Sequence, residues 1–203
     1  MRIKDVAIIQ AGTGFPEQYQ GKRNLDYGFY KVKDISKAWL NRSDYLLEPE
    51  HEITKKTAEE LNGAVIPPQS VVFAKIGEAL KLNRRALTGQ ACLVDNNVFA
   101  IIPDVDKVIP KFLYYYSRTI DLSKLCRATT VPSLRKGDIE EIEIPDFNKN
   151  VQLKIVQALE TQFTRLDAAI KSLKAIKVLA IIKMEPKIIM VAHSMAENSA
   201  RLT

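Results

Sequence analysis

Two histidines, His51 and His193, and two cysteines, Cys92 and Cys126, are the residues of this 203-residue chain best suited to metal ligation or nucleophilic attack. The histidines stand far apart, neither has a partner at ligand spacing, and no CxxC is present. The pattern predicts no metal site and two reduced cysteines acting as small buried hydrophobes. Metal-assisted cleavage of a phosphodiester needs clustered carboxylates and a lysine. Asp104 and Asp146 each follow a proline, but neither is trailed by an acidic-x-Lys triplet, and Glu140, Glu141 and Glu143 have the spacing of residues flanking a strand. Methylation of a base needs a glycine-rich cofactor turn and an Asn/Asp-Pro-Pro loop. Here Pro67-Pro68 follows Ile66, and Gly12-Thr13-Gly14 lacks the further glycine of a nucleotide loop. No catalytic residue and no cofactor is assigned.

What remains is the chemistry of recognition. A formal charge of +6 and a pI near 9.2 favour a polyanionic partner, because Lys and Arg neutralise phosphates and release condensed counterions. Residues 1–150 are nearly balanced, but the signs are segregated. Lys75, Lys81, Arg84 and Arg85 face only Glu78, and Lys111, Arg118, Lys124, Arg127, Arg135 and Lys136 face only Asp121. Between residues 44 and 60 the acids Asp44, Glu48, Glu50, Glu52, Glu59 and Glu60 outweigh Lys55 and Lys56. Grouped by a fold, these segments give one basic and one acidic side; ungrouped, each is a solvated face.

The elements that would position these residues follow from periodicity. Val6 to Gln10 reads as a strand feeding a polar loop that runs from Gly12 to about Gly28. Phe29 to Val32 reads as a second strand, followed by an irregular stretch through Trp39 to Pro49. A short helix over Thr54 to Leu61 is capped by Gly63. Ala64 to Ile66, Ser70 to Ile76, Ala91 to Val94 and Val98 to Ile102 are short β-rich runs divided by turns. Pro110 opens a helix carrying Phe112, Leu113, Tyr115 and Tyr116. Another short helix covers Leu122 to Cys126, Ser133 is the expected N-cap before Leu134, and Ile142 and Ile144 alternate in a last strand.

From Val151 to about Met184 neither Gly nor Pro occurs, and Val156, Leu159, Phe163, Leu166, Ile170 and Leu173 follow 4,3 spacing, the seam of a coiled coil. About 34 residues make a rod of roughly 50 Å, long enough to need a partner. The apolar stretch Ile176 to Val191 is broken by lysines, Glu185 and Pro186, so no membrane span is predicted. With no signal-peptide pattern, a cytoplasmic protein is expected. The fold class is α+β: a compact, mostly antiparallel β-rich domain with short helices (1–148), a long C-terminal coiled-coil helix (149–185) and a tail of unassigned role (186–203).

The order of these parts resembles a known family. Tyr30-Lys31-Val32-Lys33-Asp34-Ile35, Ala64-Val65-Ile66-Pro67-Pro68-Gln69-Ser70-Val71-Val72-Phe73-Ala74-Lys75-Ile76-Gly77 and Asn96-Asn97 are similar to the target recognition domain of type I restriction-modification specificity subunits. Thr129-Thr130-Val131-Pro132-Ser133-Leu134 resembles that domain's closing motif, and the long helix its conserved arm. The resemblance implies a non-catalytic subunit that binds double-stranded DNA, with a methyltransferase subunit and a restriction subunit as partners. Three departures stand out: Val151-Gln152 replaces the family's acidic-Gln pair at the opening of the arm, the chain carries one recognition domain and one arm where the family has two of each, and the tail after Pro186 is not familiar from the family. A homodimer through the helix would restore the two-domain layout. The alternative is a truncated specificity protein that occupies or regulates the methyltransferase without binding DNA itself.

On this reading, Arg and Lys suit guanine edges, Asn and Gln suit adenine, and phosphates take any basic or hydroxyl group. The base-reading candidates are Gln18, Gln20, Lys22, Arg23 and Asn24 in the first loop, with Lys81, Asn83, Arg84 and Arg85. Those for phosphate are Lys75, Arg127, Thr129, Thr130, Ser133, Arg135 and Lys136.

Overall fold

The computed structural model describes residues 1–126 and 131–200, with side chains placed through residue 180. Two compact units divide it, Met1–Val156 and the helical remainder from Gln157. The first contains α1 (Ile3–Val6), β1 (Ala7–Ala11), β2 (Tyr27–Tyr30), α2 (Val32–Leu40), β3 (Glu52–Ile53), α3 (Lys55–Glu60), β4 (Val71–Ala74), α4 (Glu78–Lys81), β5 (Ala86–Leu87), β6 (Cys92–Val94), β7 (Val98–Pro103), α5 (Pro110–Arg118) and α6 (Lys136–Glu140). The helix α7 (Lys149–Ala200) starts in it and forms the second unit.

Two sheets carry the first unit. The larger has the order β1-β7-β4-β5 with every pair antiparallel; the smaller, β3-β2-β6, pairs β2 with β6 in parallel. The α+β, mostly antiparallel class expected from the sequence is what forms. On the larger sheet, Ile9, Val71, Phe73, Phe99 and Ile101 share one face by register. Val72, Ala86, Val98 and Ala100 occupy the opposite face and pack with Tyr30, Ile35, Ala38, Cys92 and Val94 in one buried cluster. Both faces are covered, which is why β4 and β7 read as continuous apolar runs. A smaller cluster of Phe29, Ile53, Ala58 and Leu93 lies under the first loop.

Several local expectations are corrected. The stretch after β2 is a helix, α2, because Ile35 and Ala38 bury one face and Asp34 reaches back to accept the Lys31 amide at 2.7 Å. In the C-terminal turn of α3, Asn62 takes the left-handed conformation (φ 49) and Gly63 donates to the Ala58 carbonyl at 2.9 Å. The left-handed cap residue is therefore Asn62, one position before the predicted Gly63. Ser133 caps nothing: it is extended, bridged to Ile76, and α6 begins after Arg135. Glu143 forms only an isolated bridge to Arg2, short of a full strand at Ile142–Ile144. Finally, α7 runs on through Pro186 to Ala200, past the expected end near Met184.

Candidate nucleic-acid interface

The end of β4 organises the basic candidates. Beyond Ala74, the Lys75 amide donates to the Asn97 carbonyl at 2.9 Å, the Lys75 carbonyl accepts from Leu134 at 2.9 Å, and the Gly77 amide donates to the Pro132 carbonyl at 2.8 Å. Gly77 sits at φ +76, a conformation glycine adopts without steric cost. The closing segment is thus laid beside residues 75–77, which is what pulls Ser133 out of a helix. It delivers Arg135 and Lys136, both exposed, close to Lys75. The Lys75 ammonium lies 5.2 Å above the Phe99 ring and forms no ion pair among the described residues. Lys136 pairs with Glu140 at 3.6 Å, and exposed Lys81 with Glu78 at 2.7 Å, contacts that solvent weakens.

Arg85 and Asn83 are corrected from outward-facing readers to structural residues. Arg85 is 1% exposed, and its guanidinium donates to the Asn83 carbonyl and, at 2.7 Å, to that of Ile120. Asn83 (φ 55) donates to the Ile120 carbonyl and accepts the Leu122 amide, both at 3.0 Å. Together they fasten the α4–β5 link to the turn at Leu122–Leu125. Burial, with Arg118 nearby, pulls the Arg85 pKa down to about 10, which leaves it a cation at neutral pH. Arg84 stays half-exposed.

The first loop is clamped to the acidic segment. Tyr19 donates to Glu60 at 3.4 Å, Arg23 to the Pro49 carbonyl at 2.6 Å, and the Leu25 amide to Glu52 at 2.9 Å. Gln20 is used internally, donating to the Phe15 carbonyl at 2.9 Å and accepting from Lys31 at 2.7 Å. Gln18, Lys22, Arg23 and Asn24 remain exposed, with the Lys22 ammonium 5.4 Å over the Tyr19 ring. Glu52 and Glu60 thus seat this loop, while Glu50 pairs with Lys33 and Lys37 and Asp44 with Arg118, so the acidic run is interleaved with cations and does not form a separate acidic side.

A tight turn stands between the two sets. The Asp95 amide donates to the Tyr30 carbonyl, Gly12 to Val98 and Thr13 to Val94, so the ends of β1, β2 and β6 meet the start of β7. A Cβ on Gly12 would come within 2.1 Å of the Asp95 carbonyl oxygen, so only glycine fits. The turn presents exposed Asn96 and Asn97, with Lys75 beside it on one flank and Lys31, bonded to Gln20, on the other. Sequence reasoning did not select Lys31, Asn96 and Asn97 as contacts. The signal available was the amide pair at a two-residue turn between apolar runs. Arg127, Thr129 and Thr130 lie outside the described residues.

The start of α7 is anchored within the first unit. Gln152 is fully buried, accepts the Ile109 amide at 2.8 Å and donates to the Phe147 carbonyl at 2.7 Å; Lys149 donates to the Val105 carbonyl at 2.9 Å. Of the predicted seam, Val156 is buried in this unit. In the second unit Leu159 and Ile170 are half-exposed, and Phe163, Leu166 (57%) and Leu173 (65%) are exposed. No group of three or more potential metal ligands occurs among the described residues, and none of their helices is long and apolar enough to cross a membrane.

Comparison with known proteins adds to this geometry. The family model of the type I restriction modification DNA specificity domain matches residues 1–178. The type I restriction enzyme MjaIX specificity subunit of Methanocaldococcus jannaschii is 24% identical over 182 residues, covering 72% of this chain and 40% of its own length. Among solved structures, a chain from a type I R-M system examined for complex assembly and conformational transition superposes with a TM-score of 0.65 at 20% identity, covering 86% of this chain and 40% of that one. The HsdS subunit of Thermoanaerobacter tengcongensis gives 0.60 at 18% identity, covering 83% and 38%. The chain thus spans about 40% of the length of the relatives it matches.

Proposed function

Because the chain belongs to the type I restriction-modification DNA specificity family, matched over residues 1–178, we propose that it is a non-catalytic reader of double-stranded DNA. It acts in the cytoplasm and directs methyltransferase and restriction subunits to their target. The observation that carries this reading is the meeting of Lys75, Ser133, Arg135 and Lys136 with the Asn96-Asn97 turn where the inner strand β4 ends and β7 begins. Basic and hydroxyl groups there suit phosphate oxygens, and exposed side-chain amides on a turn with a fixed backbone suit base edges. Arg84 and Lys81 extend the phosphate contact. On the far flank, Gln18, Lys22, Arg23 and Asn24 are the base-reading loop. Seated on acids, that loop gains little from charge alone and contributes through the shape and hydrogen bonding of its side chains.

Two copies joined through Leu159, Phe163, Leu166, Ile170 and Leu173 would supply the second reader. The exposure of Leu166 and Leu173 supports this. The target is then bipartite, two half-sites related by the dimer axis and separated by a spacer. Co-expression with the methyltransferase subunit, followed by mapping of methylated adenines, tests the whole reading. A symmetric bipartite motif is expected, and the absence of any motif dependent on this chain overturns it.

A further inference from the structure

We propose that His51 is a positioning residue whose neutral imidazole locks the loop Gln18–Asn24, so that DNA recognition weakens as the pH falls. The inference rests on the reading of that loop as a DNA contact.

The lock is visible in the hydrogen bonding. The Gly21 amide donates to His51 Nδ1 at 2.9 Å, and an imidazole nitrogen accepts only when it carries no proton. The ring proton is therefore on Nε2, which is buried with no hydrogen-bond partner among the described residues. The ring meets Phe15 edge-on at 5.5 Å, and Phe15 is stacked on the fully buried Phe29 at 3.7 Å. The backbone is fixed as well, since the His51 carbonyl accepts the Phe29 amide at 2.8 Å. Gly21 sits at φ +76, so the chain reverses at the residue that His51 holds.

Protonation places a second N–H opposite the Gly21 amide, and two donors cannot bond. The loop keeps its later anchors, Arg23 on Pro49, Leu25 on Glu52 and the Glu52 amide on the Lys22 carbonyl, and its earlier ones, Tyr19 on Glu60 and Gln20 on Phe15 and Lys31; what is released is the reversal at Gly21 between them. The charges facing the ring are Lys31 and Lys33 on one side of the balance and Asp34 and Glu50 on the other. Burial, with the two lysines, holds the imidazole below its ordinary 6.5. The folded chain therefore binds fewer protons than the unfolded one just below that value. The contribution of the lock is fully present above about pH 6.5 and fades as the pH drops towards the folded value.

The full chain, bound to its methyltransferase subunit and labelled with 15N-glycine, provides the test. It is compared with His51→Asn, whose side-chain oxygen can replace Nδ1 as acceptor without titrating. In the wild type the Gly21 amide resonance should follow the His51 titration, and affinity for a duplex carrying the target mapped by methylation should fall about fivefold, the worth of one hydrogen bond. In His51→Asn the resonance should stay fixed and that pH-dependent component should vanish. A Gly21 resonance indifferent to His51, or a His51→Asn pH profile identical to that of the wild type, overturns the proposal. A Gly21 resonance that follows His51 in a complex binding no duplex at any pH overturns the reading of the chain as a DNA contact, and leaves the lock itself standing.

Discussion

A buried guanidinium is costly unless its donors are used, and Arg85 uses two groups of them on the Asn83 and Ile120 carbonyls. Arg85→Ala should therefore lower stability by about 1–3 kcal/mol, read as a drop in thermal midpoint, because it strands the Asn83 carbonyl and leaves that of Ile120 with the Asn83 side chain alone. Arg84→Ala should leave the midpoint in place and reduce the slope of log affinity against log salt by about one, as should Lys75→Ala. An unchanged slope in both would remove these residues from the interface. The sequence pointed to the arginine pair but did not divide it. Successive residues entering a strand point to opposite sides, and β5, two residues long, is too short to announce which side is which. Gln20 was equally opaque, since its partners Phe15 and Lys31 are set by the path of the loop.

At the scale of elements, β4, β6, β7, α3, α5 and the long helix were legible because each repeats its period over enough residues or carries a terminal signal such as Pro110. α2 was missed because its apolar positions, Val32, Ile35, Ala38 and Trp39, follow a β-rich run, and the deciding Asp34 cap is a single side chain. That helix ends with Arg42 at φ 56, where the Arg42 amide bonds to Trp39 and the Ser43 amide to Ala38, each at 3.0 Å. Arg42→Gly should accordingly stabilise the domain by about 0.5–1 kcal/mol in denaturant unfolding. The opposite sign is expected at the opening of α7: Gln152→Ala leaves the Ile109 amide unpaired in the interior and should cost about 1–3 kcal/mol.

For the molecule as a whole, the 4,3 repeat marked an apolar face, but nothing in it distinguished Val156, which is buried, from Leu166 and Leu173, which are exposed. The repeat encodes only that one face is apolar. Joint substitution Leu166→Glu and Leu173→Glu should yield a monomer by light scattering with an unaltered thermal transition of the first unit; a persistent dimer would place the contact elsewhere. The fold also imposes an order in time. Ile3 donates to the carbonyl of Ile142, Ile144 to that of Met1, and Arg2 and Lys4 both pair with Glu141, while among the described residues β1 pairs with β7. On the ribosome the first strand therefore emerges with nothing to join. At about 5–20 residues per second, its last stitches wait roughly 7–30 s for the chain near residue 144. Through that interval the apolar strand Ala7–Ala11 is exposed to whatever binds nascent chains.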